Sequence, residues 1–457
     1  MKHTEIKEIL AKKHQGEYLT VCGWVRTSRD SKTMAFMEIN DGSSLPHLQI
    51  VIDKNKLSDF DEAMKLGSSV KVEGTVVDSM VQQGEVELNA EKITLLGACP
   101  AEYPLQKKRH SLEFLRTMPH LRLRTNTFNA VFRVRSVLSA AIHNYFQSKN
   151  FVYIHTPIIT GSDCEGAGEV FKVTTHGFDP SIKTAEEYYE TDFFGKKAGL
   201  SVSGQLEGEV AAMAMGKIYT FGPSFRAENS NTPRHAAEFW HVEPEIAFAE
   251  LPDVLEVAEE MFKTVITEVM AKCPDEFAFF ERLFEPGLRE KLTRAISEKF
   301  GVIEYTEAIE LLKNSGETFT FPVEWGCDLQ TEHERYITEK HFNKPVFVIN
   351  YPKDLKSFYM KQNPDGKTVA ASDLLVPGVG EIIGGSEREA DLDKLLAAMK
   401  AKNLSTEEYQ DYLALRKFGT APHGGFGLGV ERLLMYITGM SNIRDVILYP
   451  RTVNSLR

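Results

Sequence analysis

The chain has no C-x-x-C pair. Its five cysteines, Cys22, Cys99, Cys164, Cys273 and Cys327, stand apart and are odd in number. That spacing excludes a disulfide framework and a thiolate zinc site, and leaves free, buried thiols. No apolar run approaches the roughly 20 residues of a membrane helix. The start, MKHTEIKEILAKKHQ, lacks the apolar centre of a signal peptide. No membrane partner is therefore expected, and the expected compartment is the cytoplasm. A repeat of about 20 to 50 residues is absent, as are a P-loop lysine and the spacing of a dinucleotide fingerprint. Positive charge is in deficit, with a net charge of −12. Such a balance disfavours indiscriminate binding to phosphate backbones, although a local basic face can still hold nucleic acid.

What is present reads as an ordinary globular composition, 42% apolar and 26% charged. A chain of 457 residues divides into two or more domains rather than growing around one core. From Tyr18 to Leu96, YLTVCGWVRTSRD, MAFMEINDGS, LPHLQIVI, SSVKVEGTVVDS and EVELNAEKITLL alternate apolar and polar residues, with turn signals at Asp41-Gly42 and Gln83-Gly84. The pattern predicts a small antiparallel barrel of about five strands. An OB-fold is the natural candidate, a fold that commonly binds single-stranded nucleic acid on one face. The stretch from Cys99 to Asn126 has early prolines, a cluster of cations and no long periodic run, as a linker does. Beyond it, Val131, Val134, Leu138, Ala141, Ile142 and Tyr145 are spaced for an amphipathic helix over 129 to 147. FVYIHTPIIT reads as an edge strand, because Pro157 cannot donate to a ladder. Residues 251 to 315 and 406 to 419 read as helical. The expected fold class is multi-domain α+β, with a barrel domain over 1–100, a linker over 101–126 and a larger domain over 127–457.

Three stretches carry chemistry. In FRAENSNTPRHAAEFWHVEPE a polar break separates two alternating arms, with Arg226 and Glu228 on one arm and Phe239, His241, Glu243 and Glu245 at the same spacing on the other, so one face of the pair presents Arg226 and Glu228 beside an aromatic and two acids. A solvated ion-pair face is the plain alternative. In HGGFGLGVERLLMYITGM, glycines at 425, 427 and 429 make a strand on which a flat ligand can lie, with Arg432 at its mouth. Close strand–helix packing is the alternative there. In ASDLLVPGVGEIIGGSEREAD, Asp373 and Glu381 suit a hard cation, since nucleotide-bound Mg²⁺ takes one or two protein carboxylates and completes its shell with phosphate and water. An acidic surface loop would give the same residues. Arg388 follows beyond a Gly-Gly pair.

Taken in order, the helix and strand ending at Pro157, the Phe-Arg-x-Glu hairpin and the G-x-G-x-G-x-E-R strand–helix resemble the three motifs of the class II aminoacyl-tRNA synthetases. The barrel narrows the resemblance to the aspartyl, asparaginyl and lysyl branch. GWVRTSRD, SGQLEGE, FRAENSNTPRHAAEFWHVEPE, NYPKDLKSFYM and GEIIGGSERE are similar to its asparaginyl family, and the likeness runs nearly end to end. The resemblance implies an OB-fold barrel followed by an antiparallel β-sheet catalytic domain flanked by helices. It implies ATP-dependent activation of L-asparagine to an adenylate and transfer to the 3′ end of tRNA(Asn). Its catalytic cations would be Arg226 on the α-phosphate and Arg432 on the γ-phosphate side. Guanidinium suits both posts, being always charged and bidentate. Phe239 would stack on adenine with Arg432 opposite, over Gly427 and Gly429. Glu228 would hold the adenine amino group or the ribose side, and Arg234 and His235 would reach the outer phosphates and the acceptor end. Glu381 and Asp373 would hold Mg²⁺. For the amino acid, the resemblance implies Glu165 in a mobile loop over the amine, Gln205 beside it, and Arg388 on the side-chain carbonyl oxygen. In the barrel, Arg29, Phe36 and Gln49 would read the central uridine of the anticodon. The first motif implies a homodimer.

Asparagine and aspartate are nearly isosteric, so a pocket of cations alone would prefer aspartate. A discrimination of ~10⁴ corresponds to about 5.5 kcal/mol, which requires an acceptor or a negative charge near the amide nitrogen. Glu243 is the expected residue, so Glu243→Gln should weaken asparagine use and relax the rejection of aspartate. An aspartyl enzyme, including one that charges both tRNAs, is the competing reading. Against it stand the Asn-Ser-Asn-Thr-Pro loop, the Trp240-to-Glu245 run, and Gly208 where the bacterial aspartyl branch carries a lysine. A nucleic-acid-binding module with an inactive second domain is another reading, and intact Arg226, Glu228, Glu381 and Arg432 oppose it. A barrel-less asparagine synthetase relative is a third. His241 stands where bacterial relatives favour an apolar residue. Residues 176 to 198 and 270 to 320 hold no legible chemistry.

Overall fold

The alternation in the N-terminal part folds into five strands: β1 Tyr18–Asp30, β2 Met34–Asn40, β3 Leu48–Asp53, β4 Ser69–Asp78 and β5 Val86–Gly97. In this computed structural model, which describes residues 3–11, 14–79, 84–164, 166, 169–177 and 184–456, they close in the order β1-β2-β3-β5-β4. The OB-fold expectation is met, with one departure: β3 and β5 pair parallel where an all-antiparallel barrel was expected. Period two sends Val21, Val25, Ala35, Met37, Ile39, Ile50 and Ile52 inward. The short helix Ile6–Leu10 adds Ile6 and Ile9 to the same core. Each of the Val, Ile and Met side chains among them contributes roughly 1.5–3 kcal/mol on leaving water. Gln83 lies outside the described residues; Gly42 takes the positive φ that its turn requires.

Residues 101–126 are not an unstructured connection. Ser111 caps the helix Leu112–Arg116 by accepting from the Phe114 N–H, Pro119–Arg122 forms a second short helix, and Leu105, Leu115, Met118 and Phe128 pack together. The first of the chain's two compact units runs to residue 133, and the second covers 134–457.

In the second unit, FVYIHTPIIT divides at its proline into β6 Val152–Tyr153 and β7 Ile159–Thr160. β7 joins β8 Lys172–Val173 and β9 Ala198–Leu200 in a small sheet ordered β7-β9-β8. The main sheet takes β6 with β10 Lys217–Phe225, β11 Glu238–Ala247, β12 Gly301–Glu304, β13 Val346–Pro352, β14 Thr368–Val376, β15 Gly380–Glu387 and β16 His423–Gly429. Its order is β12-β13-β14-β15-β16-β11-β10-β6. The central strands β13 to β10 pair antiparallel, while β12 and β6 are added parallel at the two edges. β6 lies at the edge, and Pro157, whose ring nitrogen has no hydrogen to extend a ladder, falls in the connection between β6 and β7. Helix Leu251–Lys272 begins with a capping box between Glu250 and Asp253 and lays Val254, Ala258, Met261 and Val265 against the sheet. Helix Asn126–Ser148 buries the predicted stripe of Val131, Val134, Leu138, Ala141, Ile142 and Tyr145.

Candidate active site

The hairpin β10–β11 and the glycine strand β16 are neighbours, because β11 pairs with both β10 and β16. This register puts His241 between Gly222 and Gly429, and Glu245 between Ile218 and Gly425. Bare backbone on either side of β11 leaves a trough. All of the residues expected to hold ATP line one pocket there: Arg226, Glu228, Arg234, His235, Phe239, Glu381, Gly427, Gly429 and Arg432. Two guanidinium groups from segments 206 residues apart (432 − 226) thus face the same space. The Arg226 guanidinium carbon lies 5.5 Å from the Phe239 ring centre, and Arg226 sits 3.9 Å from Glu228. Arg432 donates to the Glu381 carbonyl oxygen at 2.9 Å. Arg234 donates to Glu334 at 3.4 Å and to Thr331 at 3.0 Å, while His235 is tethered to the Thr232 hydroxyl at 2.5 Å. Burial, then Arg432 and Arg226, lower the pKa of His235.

The carboxylates fit a hard cation. Glu381 Oε1 and Asp373 Oδ1 lie 3.3 and 3.6 Å from where a side chain at Gly384 would begin, so both approach one point that the glycine leaves open. Burial works against the Glu381 charge, but Arg432, Lys356 and Arg226 outweigh it and hold the carboxyl below its ordinary range. Burial raises Asp373 despite its 2.6 Å ion pair with Lys356. Unlike Glu381, Asp373 does not line the pocket shared by Arg226 and Arg432. Among the described residues no group of three or more His, Cys, Asp or Glu gathers as a metal site. Two carboxylates are what an ion completed by phosphate and water oxygens needs.

The residues expected to hold the amino acid lie deeper. Glu165 is outside the described residues. Gln205 is buried and donates to Glu209 at 3.0 Å. Glu243 has both oxygens engaged: the Ser203 hydroxyl donates to one, and the Gly204 N–H at 2.9 Å and the Thr220 hydroxyl at 3.2 Å donate to the other. It thereby holds the turn into helix Gln205–Met215. Arg388 is buried and donates to both oxygens of Glu245 and to the Ser386 hydroxyl at 2.7 Å. Burial, with a push from Glu209, raises the pKa of Glu245, and the two hydrogen bonds from Arg388 pull against that shift. Glu245 in turn holds Arg388 charged more firmly than burial alone would allow. A side chain at Gly208 would begin 3.4 Å from the Ile218 Cδ1 and 3.5 Å from the Glu245 Cγ.

In the barrel, Phe36 faces away from the core formed by Ala35, Met37 and Ile39. Arg29 is its cross-strand partner, with the guanidinium 5.6 Å from the ring centre. Gln49, on the same outer face, donates through Nε2 to Glu87 at 3.0 Å.

Sequence reasoning missed several residues. Glu334, in helix Thr331–Arg335, is pushed up to about 7 by burial and by Glu381. Glu431 lines the same pocket as Arg226 and Arg432 and accepts from Arg135 at 2.7 Å and from the Trp240 N–H at 2.9 Å. Glu87 and Glu209 were likewise given no role. One signal was available: Gln205 and Glu209 are spaced to meet on one face of a helix. Glu334 had none, because nothing local marks a carboxylate that meets its arginine 100 residues away (334 − 234).

A barrel of this topology followed by an antiparallel sheet with a cation-flanked glycine floor defines a class. The family described as tRNA synthetases class II (D, K and N) matches residues 111–453, and an OB-fold nucleic acid binding domain matches 19–96. The chain belongs to these class II tRNA synthetases. Within them it belongs with the asparagine–tRNA ligases: it is 54% identical over 461 aligned residues to the one from Clostridium kluyveri and 56% identical to the one from Acetivibrio thermocellus, covering 100% of this chain and 99% of each relative. An asparaginyl-tRNA synthetase from Pyrococcus horikoshii, crystallised with asparaginyl-adenylate, is 34% identical and superposes with a TM-score of 0.88 over 100% of this chain and 99% of its own. An aspartyl-tRNA synthetase from Entamoeba histolytica, 24% identical with a TM-score of 0.78 over 100% of this chain and 93% of its own, shares the fold.

Proposed function

We propose that the protein is an asparagine–tRNA ligase that activates L-asparagine with ATP and transfers it to tRNA(Asn). The observation that carries the reading is the facing pair Arg226 and Arg432 across the Gly427–Gly429 floor in one pocket. The asparagine carboxylate attacks the α-phosphorus, and pyrophosphate leaves. Arg226 meets the negative charge that builds on the α-phosphate, and Arg432 steadies the leaving end, so catalysis is positioning and countercharge rather than covalent help. Phe239 stacks on adenine and Glu228 binds its amino group or the ribose. Arg234 and His235 hold the outer phosphates. Glu381 and Asp373 are the residues that would hold Mg²⁺, which supplies further countercharge to the phosphates. In the second half-reaction the terminal ribose hydroxyl of the tRNA attacks the acyl carbon and AMP leaves.

For the amino acid, Glu165 and Gln205 take the ammonium group and Arg388 the side-chain carbonyl. Because Glu245 already meets the Arg388 charge, the pair is suited to a neutral amide rather than to a second carboxylate. Glu243 supports the pocket through Ser203, Gly204 and Thr220. In the barrel, Glu87 takes the Gln49 N–H, which leaves the Gln49 oxygen as an acceptor for the uridine N3–H, with Phe36 as a stacking platform and Arg29 beside it. We further infer a cytoplasmic homodimer. ATP–pyrophosphate exchange across the proteinogenic amino acids tests the reading: asparagine should support it, and aspartate should do so at least ~10³-fold less well by kcat/KM. Equal exchange with aspartate would overturn it.

A further inference from the structure

Behind the amino-acid residues lies a cluster of charged side chains shut away from water. Glu209, Arg416 and His423 are fully buried, and Arg388 nearly so. Every oxygen of Glu209 is engaged. Oε1 accepts from Gln205 Nε2 at 3.0 Å and from the Tyr412 hydroxyl at 3.0 Å. Oε2 accepts from Arg416 Nη2 at 2.8 Å and lies 2.9 Å from His423 Nε2. Arg388 Nε is 3.9 Å from the same carboxylate. One buried charge therefore touches both Gln205 and Arg388, which reach it from helix Gln205–Met215 and from the end of β15.

We propose that Glu209 is a positioning and specificity-determining residue for amino-acid activation: it orients Gln205 and Arg388 together and supplies the negative charge that keeps their pocket from drawing in a carboxylate. The inference rests on the proposed asparagine-activating function. Orientation follows from hydrogen-bond type. An ionised carboxylate only accepts, so Gln205 turns its NH₂ toward Glu209 and leaves its oxygen as the acceptor for a ligand ammonium. Selectivity follows from charge. Arg388 is met by Glu245 and Arg416 by Glu209. Removing the charge of Glu209 leaves Arg416 uncompensated one side chain from Arg388, and in a dry interior a unit charge at that range is strongly felt. Aspartate differs from asparagine by one charge and almost nothing in shape, so the potential at Arg388 governs the ratio between them. A buried ion cluster is weak evidence of a stabilising role, since desolvation consumes much of its attraction. Its place behind the two substrate-facing residues is what gives it function.

The test uses the full-length protein in ATP–pyrophosphate exchange, varying asparagine, aspartate and ATP in turn. Glu209→Gln should raise the KM for asparagine about tenfold, leave the KM for ATP unchanged, and move the aspartate-to-asparagine ratio of kcat/KM about tenfold toward aspartate. Glu209→Asp, which keeps the charge, should retain the ratio. The double variant Glu209→Gln/Arg416→Gln, which restores the balance, should bring the ratio back toward wild type. An unmoved ratio in Glu209→Gln, or KM values for ATP and asparagine that rise together, overturns the inference. Should Glu209→Gln fail to fold, Arg416→Gln in the otherwise native chain carries the test with opposite sign: the ratio must move away from aspartate, and an unchanged ratio overturns the proposal. Wild-type protein inert with asparagine would sink the functional reading itself. Wild-type protein selective for asparagine with unmoved variants sinks only this one.

Discussion

A histidine flanked by glycines on both neighbouring strands has room that an ordinary sheet denies it, and His241 has such neighbours in Gly222 and Gly429. Its Nδ1 lies 3.0 Å from the Ser224 hydroxyl, and its ring meets Phe239 edge-on at 4.6 Å. Burial pushes its pKa down to about 4, with Arg226 and Arg432 adding to the shift and Glu243 opposing it. The unfolded chain takes up this proton near ~6.5. The stability it contributes is therefore full above ~6.5 and is lost as pH falls toward 4, by up to about 3 kcal/mol. His241→Met should flatten the acid limb of the unfolding free energy, measured by urea titration between pH 6.5 and 4; an unchanged limb would place the proton uptake elsewhere. Phe36 belongs to the same scale. Alternation in MAFMEIN told that Phe36 faces away from Ala35 and Met37, but not which side was the core. Only barrel closure decides that, and it puts Phe36 outside. Phe36→Ala should leave thermal unfolding and adenylate formation near wild type while raising the KM for tRNA about tenfold, as loss of one stacked base of ~1–3 kcal/mol implies. Loss of adenylate formation would contradict the outward placement.

At the scale of an element, the glycines of β16 divide into two kinds that spacing does not distinguish. A Cβ at Gly425 would lie 2.2 Å from the Pro244 carbonyl oxygen and 2.5 Å from the Glu245 carboxyl, so this glycine exists for close strand approach. At Gly427 the nearest atoms, those of the Glu243 side chain, are 3.8 Å away, and this glycine lines the pocket that Arg226 and Arg432 share. Gly425→Ala should cost more than ~2 kcal/mol of stability by the clash. Gly427→Ala should melt near wild type and raise the KM for ATP with little change in that for asparagine. Equal destabilisation by both would show that the floor is only packing. The alternation Gly-x-Gly-x-Gly was legible as a bare strand, but the neighbours that give each glycine its purpose come from β11 and β15. The stretch from Phe151 to Thr160 was legible as extended chain; its division between two sheets was not, because strand partners are chosen by distant segments.

Across the whole molecule, β6 and the start of β7 leave Val152, Tyr153, Ile158 and Ile159 each 42–44% exposed. An apolar sheet edge of this kind is covered in a stable protein, and a second copy of the chain suits a symmetric contact. If the proposed homodimer forms through this surface, Ile158→Glu with Ile159→Glu should shift sedimentation from dimer to monomer, whereas a dimer that survives the change, or a wild-type chain that sediments as a monomer, would exclude it. The order of motifs and the period of each run indicated, with no structure at hand, that a barrel precedes a larger α+β part and that Arg432 stands at the mouth of a bare glycine strand. Those features are local: turn residues, alternation and helical spacing act between near neighbours, and the chain writes them consecutively. Tertiary structure alone decided which carboxylates meet which cations. Glu209, Arg388, Arg416 and His423 come from separate segments, and nothing in their spacing distinguishes them from solvated surface charges. Burial changes their meaning, because a charge removed from water must find its partner wherever the fold has carried it.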